Sequence, residues 1–363
     1  MTIESVEGIP YSLPTRAPVR FANGEVTAAE HVLVRIRCDD GLVGVAEASP
    51  RPMTYGDTAP AVVDAVQRFL APLLVGKDER AIERLHRSWT NLRGMHTARA
   101  AVDIALWDLL GKRAGLPVAA LLGGFSDRVA VAHLVGLGTP RAMAEECAGI
   151  QRDRGVGAFK VKVGLDSAGD IERITAVREA VGQDAIVYAD ANHGWSAEAA
   201  LRVVDATQAA LNWVEEPNPS DDHVGRRWLI ERLRIPVVAD ESARDRYEAA
   251  HVLREGLAQW VSLKAGRTGF AMSRDIVGLV RGLGARAVVG SQIEGALGVV
   301  ASLHLAAAFD ATARCPAELT SALEYAEDIL DPPEIVDGWM QIPDAPGLGV
   351  EIDEGRLDAL RIT

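Results

Sequence analysis

The sequence predicts an α/β barrel led by a smaller α+β module. Beyond about Asp127, short apolar runs alternate with amphipathic helical stretches, the written form of repeated strand-helix units around a parallel sheet. Runs close on a polar or charged residue at Lys162, Asp190, Glu215, Asp240, Lys264 and Gln292, with 24 to 28 residues between successive ends. Ahead of them, the first 50 residues read as sheet and the following stretch as helix, which is α+β order.

In chain order, residues 30–47 (EHVLVRIRCDDGLVGVAE) form two β-branched runs joined by Asp39-Asp40-Gly41, a hairpin signal. From Thr58 to about Leu122 the spacing turns helical, first through Val62, Val63, Val66, Phe69 and Leu70, then through Ala101, Ile104, Ala105 and Leu109. The barrel runs end as Phe159-Lys160-Val161-Lys162, Val187-Tyr188-Ala189-Asp190, Trp213-Val214-Glu215, Val237-Val238-Ala239-Asp240, Val261-Ser262-Leu263-Lys264 and Val288-Val289-Gly290-Ser291-Gln292. In a barrel these ends converge on one face, where such folds place their chemistry. The remainder, from about Ala322, contains Asp331-Pro332-Pro333, a short Gly-rich stretch and a last strand-like run. It is expected to return to the first module. The expected division is 1–125, 126–320 and 321–363.

The chain has 363 residues, of which 48% are apolar and 25% charged, as in an ordinary soluble globular protein. Its net charge of -13 leaves no basic footprint for nucleic acid or an anionic membrane. An anion must therefore be held by local cations or a metal. Cys38, Cys147 and Cys315 are odd in number and far apart, without zinc or disulfide spacing, which fits a reducing cytoplasm. The N-terminus lacks a signal pattern and no run of about 18 apolar residues occurs, so neither export nor membrane insertion is expected.

Asp190, Glu215 and Asp240 close three consecutive strands. Carboxylates converging on one point repel unless a hard cation neutralises them, and oxygen-only ligation selects Mg²⁺ or Mn²⁺ over zinc. The competing reading makes each acid a helix N-cap, since Asp caps readily, but three in register weaken it. Lys162 ends the strand before these acids and Lys264 the strand after them, so two ammonium groups flank the metal. That suits proton transfer on either face of a carbanion. A lysine near Mg²⁺ and other cations has its neutral form favoured, which lets it act as acid or base near neutral pH. Taken singly, each lysine is more often a solvated surface residue, and inward strand ends reverse that weighting.

The spacing Lys-x-Lys (Lys160, Lys162), Asp-x-Asn (Asp190, Asn192), Glu-Glu-Pro (Glu215 to Pro217), Asp-Glu-Ser (Asp240 to Ser242) and Lys-x-x-Arg-x-Gly (Lys264, Arg267, Gly269) resembles the muconate-lactonizing subgroup of the enolase superfamily. The helix text AVDIALWD at 101–108, Gly111-Lys112 and Leu121-Leu122-Gly123-Gly124 resemble the same subgroup, so the likeness covers nearly the whole chain. It implies a capping domain, completed by the C-terminal segment, over a modified (β/α)₇β barrel. It implies Asp190, Glu215 and Asp240 as metal ligands with Asn192 beside them, and Lys162 and Lys264 as the acid/base pair. Lys160 is implied to face the substrate carboxylate and to lower the pKa of the acid/base lysine. Glu216 and Glu241, one residue beyond ligands, point away or behind by the pleat.

Two absences narrow the subgroup. No His follows the seventh strand, where Gly290-Ser291-Gln292-Ile293-Glu294 stands, so the His-Asp pair of mandelate-racemase-like members is missing. Dipeptide-epimerase members carry Asp-x-Asp at the eighth strand for a substrate ammonium, whereas this chain has Pro316-Ala317-Glu318-Leu319. An amino-acid substrate is less expected, although Glu294 or Glu318 could still meet a cation, and Gln292 joins the substrate-binding candidates. Phe21-Ala22-Asn23-Gly24-Glu25-Val26 and Ser49 to Gly56 occupy the places of the two capping loops that set specificity, and resemble those of actinobacterial-type members. Arg51 and Tyr55 either bind a second carboxylate by charge-assisted hydrogen bonds or are a solvated arginine and a packing ring. His193 is either a base or a loop filler, His96 and His31 have no identifiable partner, and Trp107 belongs to the core.

The activity implied is cycloisomerisation of cis,cis-muconate to muconolactone, an aromatic-catabolism step. One carboxylate adds across the diene, a metal and Lys160 stabilise the enolate, and a lysine protonates the α-carbon. Rival activities are those of o-succinylbenzoate synthase, N-acylamino-acid racemase and dipeptide epimerase. A different class of role is a silent metal-binding or oligomer-forming scaffold. The partners expected are a small carboxylate or dicarboxylate and further copies of the chain, not nucleic acid or membrane.

Overall fold

The structure, a computed structural model, describes residues 1–21 and 24–362. The capping loop expected at 21–26 has its tip and its side chains outside the described residues. Three antiparallel strands come first, β1 (Ile3–Phe21), β2 (Gly24–Cys38) and β3 (Val43–Ala48), in that order across the sheet. The β2–β3 hairpin turns at Gly41, whose φ of 85° explains the glycine that sequence analysis used as the hairpin signal. The helix His96–Ala114 packs on this sheet, and its buried Asp108 does the joining. One oxygen accepts from Val45 N at 2.9 Å and from Lys112 Nζ at 2.7 Å, the other from Leu348 N at 2.8 Å. A single carboxylate therefore satisfies backbone donors from the sheet and from the C-terminal segment.

The second module is a barrel of parallel strands alternating with helices. Its strands are β4 (Arg128–Val135), β5 (Ala158–Lys162), β6 (Ile186–Asp190), β7 (Trp213–Glu215), β8 (Val237–Ala239), β9 (Trp260–Leu263), β10 (Arg286–Val289) and β11 (Ala317–Glu318). Neighbours pair in sequence from β4 to β10, and β11 pairs back onto β4 to close the ring. Among the described residues no ladder joins β10 to β11. Glu318 Oε2 bridges that seam by accepting from Ser291 N at 3.0 Å.

The C-terminal segment does more than return to the first module. Because β11 is two residues long and pairs only Val131 and Ala132, the first half of the β4 edge is left open. The hairpin of β12 (Ile335–Val336) and β13 (Trp339–Gln341) fills it, with β13 antiparallel to Arg128–Ala130. The chain then reaches β1, where Ile362 N donates to Pro10 O at 3.1 Å, and β2, where Arg35 Nη2 meets Glu354 Oε1 at 2.6 Å. All three cysteines are free and buried. Among the described residues no helix is long and apolar enough to cross a membrane.

Candidate active site

Ladder register gathers the charged strand ends. Lys162 is the direct partner of Asp190, and Asp190 of Glu215. Glu215 pairs with Val238, so the barrel's stagger carries Asp240 two residues further along its strand. Side chains two apart share a face, which sets Lys160 below Lys162 and Tyr188 below Asp190. Lys160, Lys162, Asp190, Glu215, Asp240 and Lys264 are all buried.

The charges interlock. Asp190 Oδ2 accepts from Lys162 Nζ at 2.6 Å and lies 2.9 Å from Lys160 Nζ. Lys160 Nζ donates to Glu215 Oε1 at 2.8 Å and lies 3.0 Å from Glu318 Oε1. Across the mouth, Lys264 Nζ donates to Asp240 Oδ2 at 2.6 Å, and Arg267 Nη1 to Asp240 Oδ1 at 2.6 Å. Asn192 accepts from Lys162 Nζ at 2.8 Å and donates to Glu241 Oε1 at 2.9 Å.

Burial by itself would raise the pKa of Asp190, yet the Lys160 and Lys162 ammonium groups outweigh it and hold the carboxyl below its usual range. Asp240 is likewise held down, against burial, by Lys264 and Arg267. Glu215 goes the other way: burial pushes it well up, and Lys160 offsets only part of that because Asp190, Glu318 and Asp240 add negative charge. Lys160 itself stays an ammonium, since those carboxylates outweigh its burial. Glu241 is pushed up to about 7 by burial and by the charges of Asp240, Asp190 and Glu216. Lys160 is shared among Asp190, Glu215 and Glu318, and among the described residues only Asp190 of these three has a second ammonium partner, Lys162.

The under-partnered carboxylate oxygens are what a divalent cation would engage. Glu215 Oε2 is buried without a hydrogen-bond partner, and Glu241 Oε2 beside the site is in the same condition. The donors are carboxylate oxygens, which suit Mg²⁺ or Mn²⁺. Among the described residues no three His, Cys, Asp or Glu side chains yet stand close enough to hold an ion. Lys160 Nζ stands between Asp190 Oδ2 and Glu215 Oε1, so an ion there would compete with this ammonium for the same oxygens.

A supporting layer stands behind the acids. Glu216, pointing away as the pleat dictates, takes Arg226 Nη2 at 2.6 Å on one oxygen. Its other oxygen accepts from Asp240 N at 2.7 Å and Ser242 Oγ at 2.9 Å, fixing the Asp240 backbone. Non-glycine residues with positive φ gather at this end of the barrel: Asn192 (41°), His193 (54°), Glu216 (38°) and Ile293 (57°). Such strain concentrates where structure over-determines a site.

The remaining candidates divide. Tyr55 belongs to the mouth, its hydroxyl 3.3 Å from Lys264 Nζ and 3.5 Å from Arg267 Nη1. Arg51 does not extend a free guanidinium: Nε donates to Gln292 O at 2.6 Å, Nη1 to Pro50 O at 2.6 Å and Nη2 to Ile293 O at 2.5 Å. Glu294 is committed to Ser291 Oγ at 2.6 Å, Gln292 N at 2.5 Å and Ser302 Oγ at 3.0 Å. Glu318 accepts from Tyr188 OH at 3.0 Å besides Lys160 and Ser291 N. Gln292 is buried with both amide atoms unpartnered. His193 N donates to Glu216 O at 2.8 Å in the strained turn after Asp190. His31, without a partner in the sequence analysis, stands 2.9 Å from Glu47 Oε1. Arg267, Arg226 and Tyr188 are not among the site residues expected from the sequence: Arg267 stands in the Lys-x-x-Arg-x-Gly motif and Tyr188 two residues before Asp190 on the same face, while Arg226 carries no local signal.

Residues 142–356 match the family described as "Enolase C-terminal domain-like", and residues 7–123 match "Mandelate racemase / muconate lactonizing enzyme, N-terminal domain". The fold is similar to that of a muconate lactonizing enzyme from Mucobacterium smegmatis solved with muconolactone, at a TM-score of 0.98 and 40% identity over 100% of both chains. An N-succinyl-L-Arg/Lys racemase of Bacillus cereus is 29% identical over 100% of this chain and 98% of its own. A dipeptide epimerase of Enterococcus faecalis solved with Mg and L-Leu-L-Tyr superposes with a TM-score of 0.91 at 26% identity, covering 96% of this chain and 99% of that one. With both of its modules matched, the chain belongs to the muconate-lactonizing subgroup of the enolase superfamily, and these relatives are isomerases.

Proposed function

We propose that this chain is a metal-dependent cycloisomerase closing cis,cis-muconate to muconolactone, working in the cytoplasm as a homo-oligomer in aromatic catabolism. The observation that carries the proposal is the pair of buried lysines, Lys162 and Lys264, on either side of the Asp190, Glu215 and Asp240 carboxylates. A carboxylate oxygen of the substrate attacks the γ-carbon of the conjugated system. The double bond next to the other carboxylate opens to an enolate, and the Lys162 ammonium gives its proton to the α-carbon, then regains one from solvent. Lys264, kept charged by Asp240 against its burial, contributes positive charge to the opposite face. Asp190, Glu215 and Asp240 would hold Mg²⁺ or Mn²⁺, which would supply positive charge to stabilise the enolate.

Racemisation or epimerisation uses the same pair of lysines and is the second reading. Glu318 speaks against a dipeptide: its oxygens are taken by Lys160, Tyr188 and Ser291 N, which leaves it poorly placed to receive a substrate α-ammonium. The test gives the protein cis,cis-muconate with Mg²⁺ and follows the ultraviolet absorbance of the diene. N-succinylamino acids and dipeptides are screened in parallel for α-proton exchange in D₂O. Rapid loss of the diene is expected. Exchange in the amino-acid derivatives with muconate untouched would move the chain to the racemase reading.

A further inference from the structure

The turn after β10 is held from outside in a way the chemistry of the mouth does not explain. Ile293 has a φ of 57°, a conformation that a β-branched residue keeps only when its surroundings over-determine it. Its carbonyl accepts from Arg51 Nη2 at 2.5 Å and from Tyr325 OH at 2.5 Å. Its amide donates to Ser291 Oγ at 3.0 Å. The flanking groups are tied as well: Gln292 O to Arg51 Nε at 2.6 Å, Glu294 O to Ser321 Oγ at 2.9 Å and Gly295 N to Glu47 Oε1 at 2.8 Å. Arg51 and Glu47 come from the capping module, while Tyr325 and Ser321 lie beyond β11 at the start of the C-terminal segment.

Of the anchors on the capping side, Arg51 is half-buried and Glu47 is buried and paired. Glu47 accepts from Tyr11 OH at 2.9 Å and Ser49 Oγ at 2.8 Å and lies 2.9 Å from His31 Nδ1. His31 Nε2 is 3.3 Å from Tyr325 OH, which closes the loop of contacts. On the catalytic side, the same turn touches both groups of charges. Ser291 N holds Glu318 against Lys160, and a Cβ added at Gly290 would stand 3.2 Å from Lys264 Cε. Arg51 also begins the short helix Pro52–Tyr55, which delivers the Tyr55 hydroxyl to Lys264.

We infer that Arg51 is a positioning residue rather than a ligand of the substrate. With Tyr325 it latches the Ile293 carbonyl, so that the capping loop and the seventh-strand turn set Tyr55, Lys264 and Glu318 as one piece. The planar guanidinium fork is what lets one side chain reach two successive carbonyls, a task a lysine cannot duplicate. The latch is independent of substrate identity, because neither partner of the Ile293 carbonyl needs to touch a ligand.

The test is a double-mutant cycle of Arg51→Ala and Tyr325→Phe, read as kcat/KM on whichever carboxylate the wild type turns over. Amide hydrogen exchange of segment 290–298 is measured alongside. Failure of the wild type on muconate would thus count against the muconate reading and leave the cycle measurable on another acid. Arg51→Ala should lower kcat/KM about 10- to 100-fold, the scale of a lost charge-assisted hydrogen bond. Tyr325→Phe, which deletes only a hydroxyl, should lower the same parameter about 3- to 10-fold, and Arg51→Lys should recover only part of the loss. Both variants should speed exchange in 290–298, and the double variant should depart several-fold from the product of the single losses. Tyr325→Phe leaving activity and exchange at wild-type values while Arg51→Ala is impaired would overturn the latch, as would two losses that simply multiply.

Discussion

The strands of the barrel present opposite materials at their two ends. Toward their N-termini, Ala132, Ala158, Tyr188, Trp213, Val238 and Val288 form a buried apolar cluster, with Tyr188 and Trp213 rings stacked at 4.5 Å and the Trp260 ring tilted against Trp213 at 5.0 Å. Toward their C-termini, side chains one or two pleats further along are Lys160, Lys162, Asp190, Glu215, Asp240 and Lys264, just as buried but charged. The first end stabilises by burial and dispersion. At the second, desolvated charges compensate one another, an arrangement that is costly if any member is lost and open to rearrangement when an ion or an anionic substrate enters.

The contrast breaks most sharply at Asp240. Asp240→Asn leaves Lys264 and Arg267 without their carboxylate, so divalent-metal affinity should collapse and turnover should fall at least about 1,000-fold, on the scale expected when transition-state charge stabilisation is removed. Stability should fall by about 3–5 kcal/mol, the cost of an uncompensated buried charge. Excess chelator should reproduce the loss of turnover in the unaltered protein, and Mg²⁺ or Mn²⁺ should restore it. Metal titration and full turnover in chelator are the checks, and retained activity there would count against the ligand assignment.

At the other end, Trp213→Ala should cost about 3–5 kcal/mol in denaturant unfolding while kcat of the folded enzyme stays within a few-fold, because this end packs without reacting. A large fall in kcat would mean that the two ends are coupled. A smaller effect is expected behind the mouth. Glu216→Gln weakens the grip of Arg226 and the orientation of Asp240 N, and should lower metal affinity about 10- to 100-fold.

A separate, pH-dependent effect lies outside the barrel mouth, at Asp328, pushed up to about 7 by burial and by Glu47. Between about 4, the ordinary carboxylate value, and 7 the folded chain keeps a proton there that the unfolded chain has released. Stability from this group is full at low pH and is lost as pH rises through 7. Asp328→Asn should flatten the melting temperature between pH 5 and pH 8, and an unchanged slope would assign it to other groups.

The barrel and its charged mouth were legible because strands have period two and the βα units recur at near-constant spacing, so Lys162, Asp190, Glu215, Asp240 and Lys264 could be placed by counting. What escaped depends on long-range contacts. Arg51 reads in the sequence either as an anion ligand or as a solvated arginine, and its acceptors in the structure are backbone carbonyls of 50, 292 and 293, which carry no side-chain signature. Glu318 and Glu294 were read as open to a cation, whereas neighbouring donors already surround them. Segment 321–363 is expected to return to the first module, and the pairing of its hairpin 335–341 with β4 on the way escapes the sequence because the shortness of β11, which opens the β4 edge, is not visible in composition.

The two-lysine proton transfer is tested most directly by placing muconolactone in D₂O with Mg²⁺ and following its α-protons by NMR. The unaltered protein should exchange one diastereotopic proton. Lys162→Ala should abolish that exchange, while Lys264→Ala should slow turnover and leave exchange at the same position. Loss of exchange with Lys264→Ala alone would reverse the roles, and exchange surviving both substitutions would contradict the mechanism.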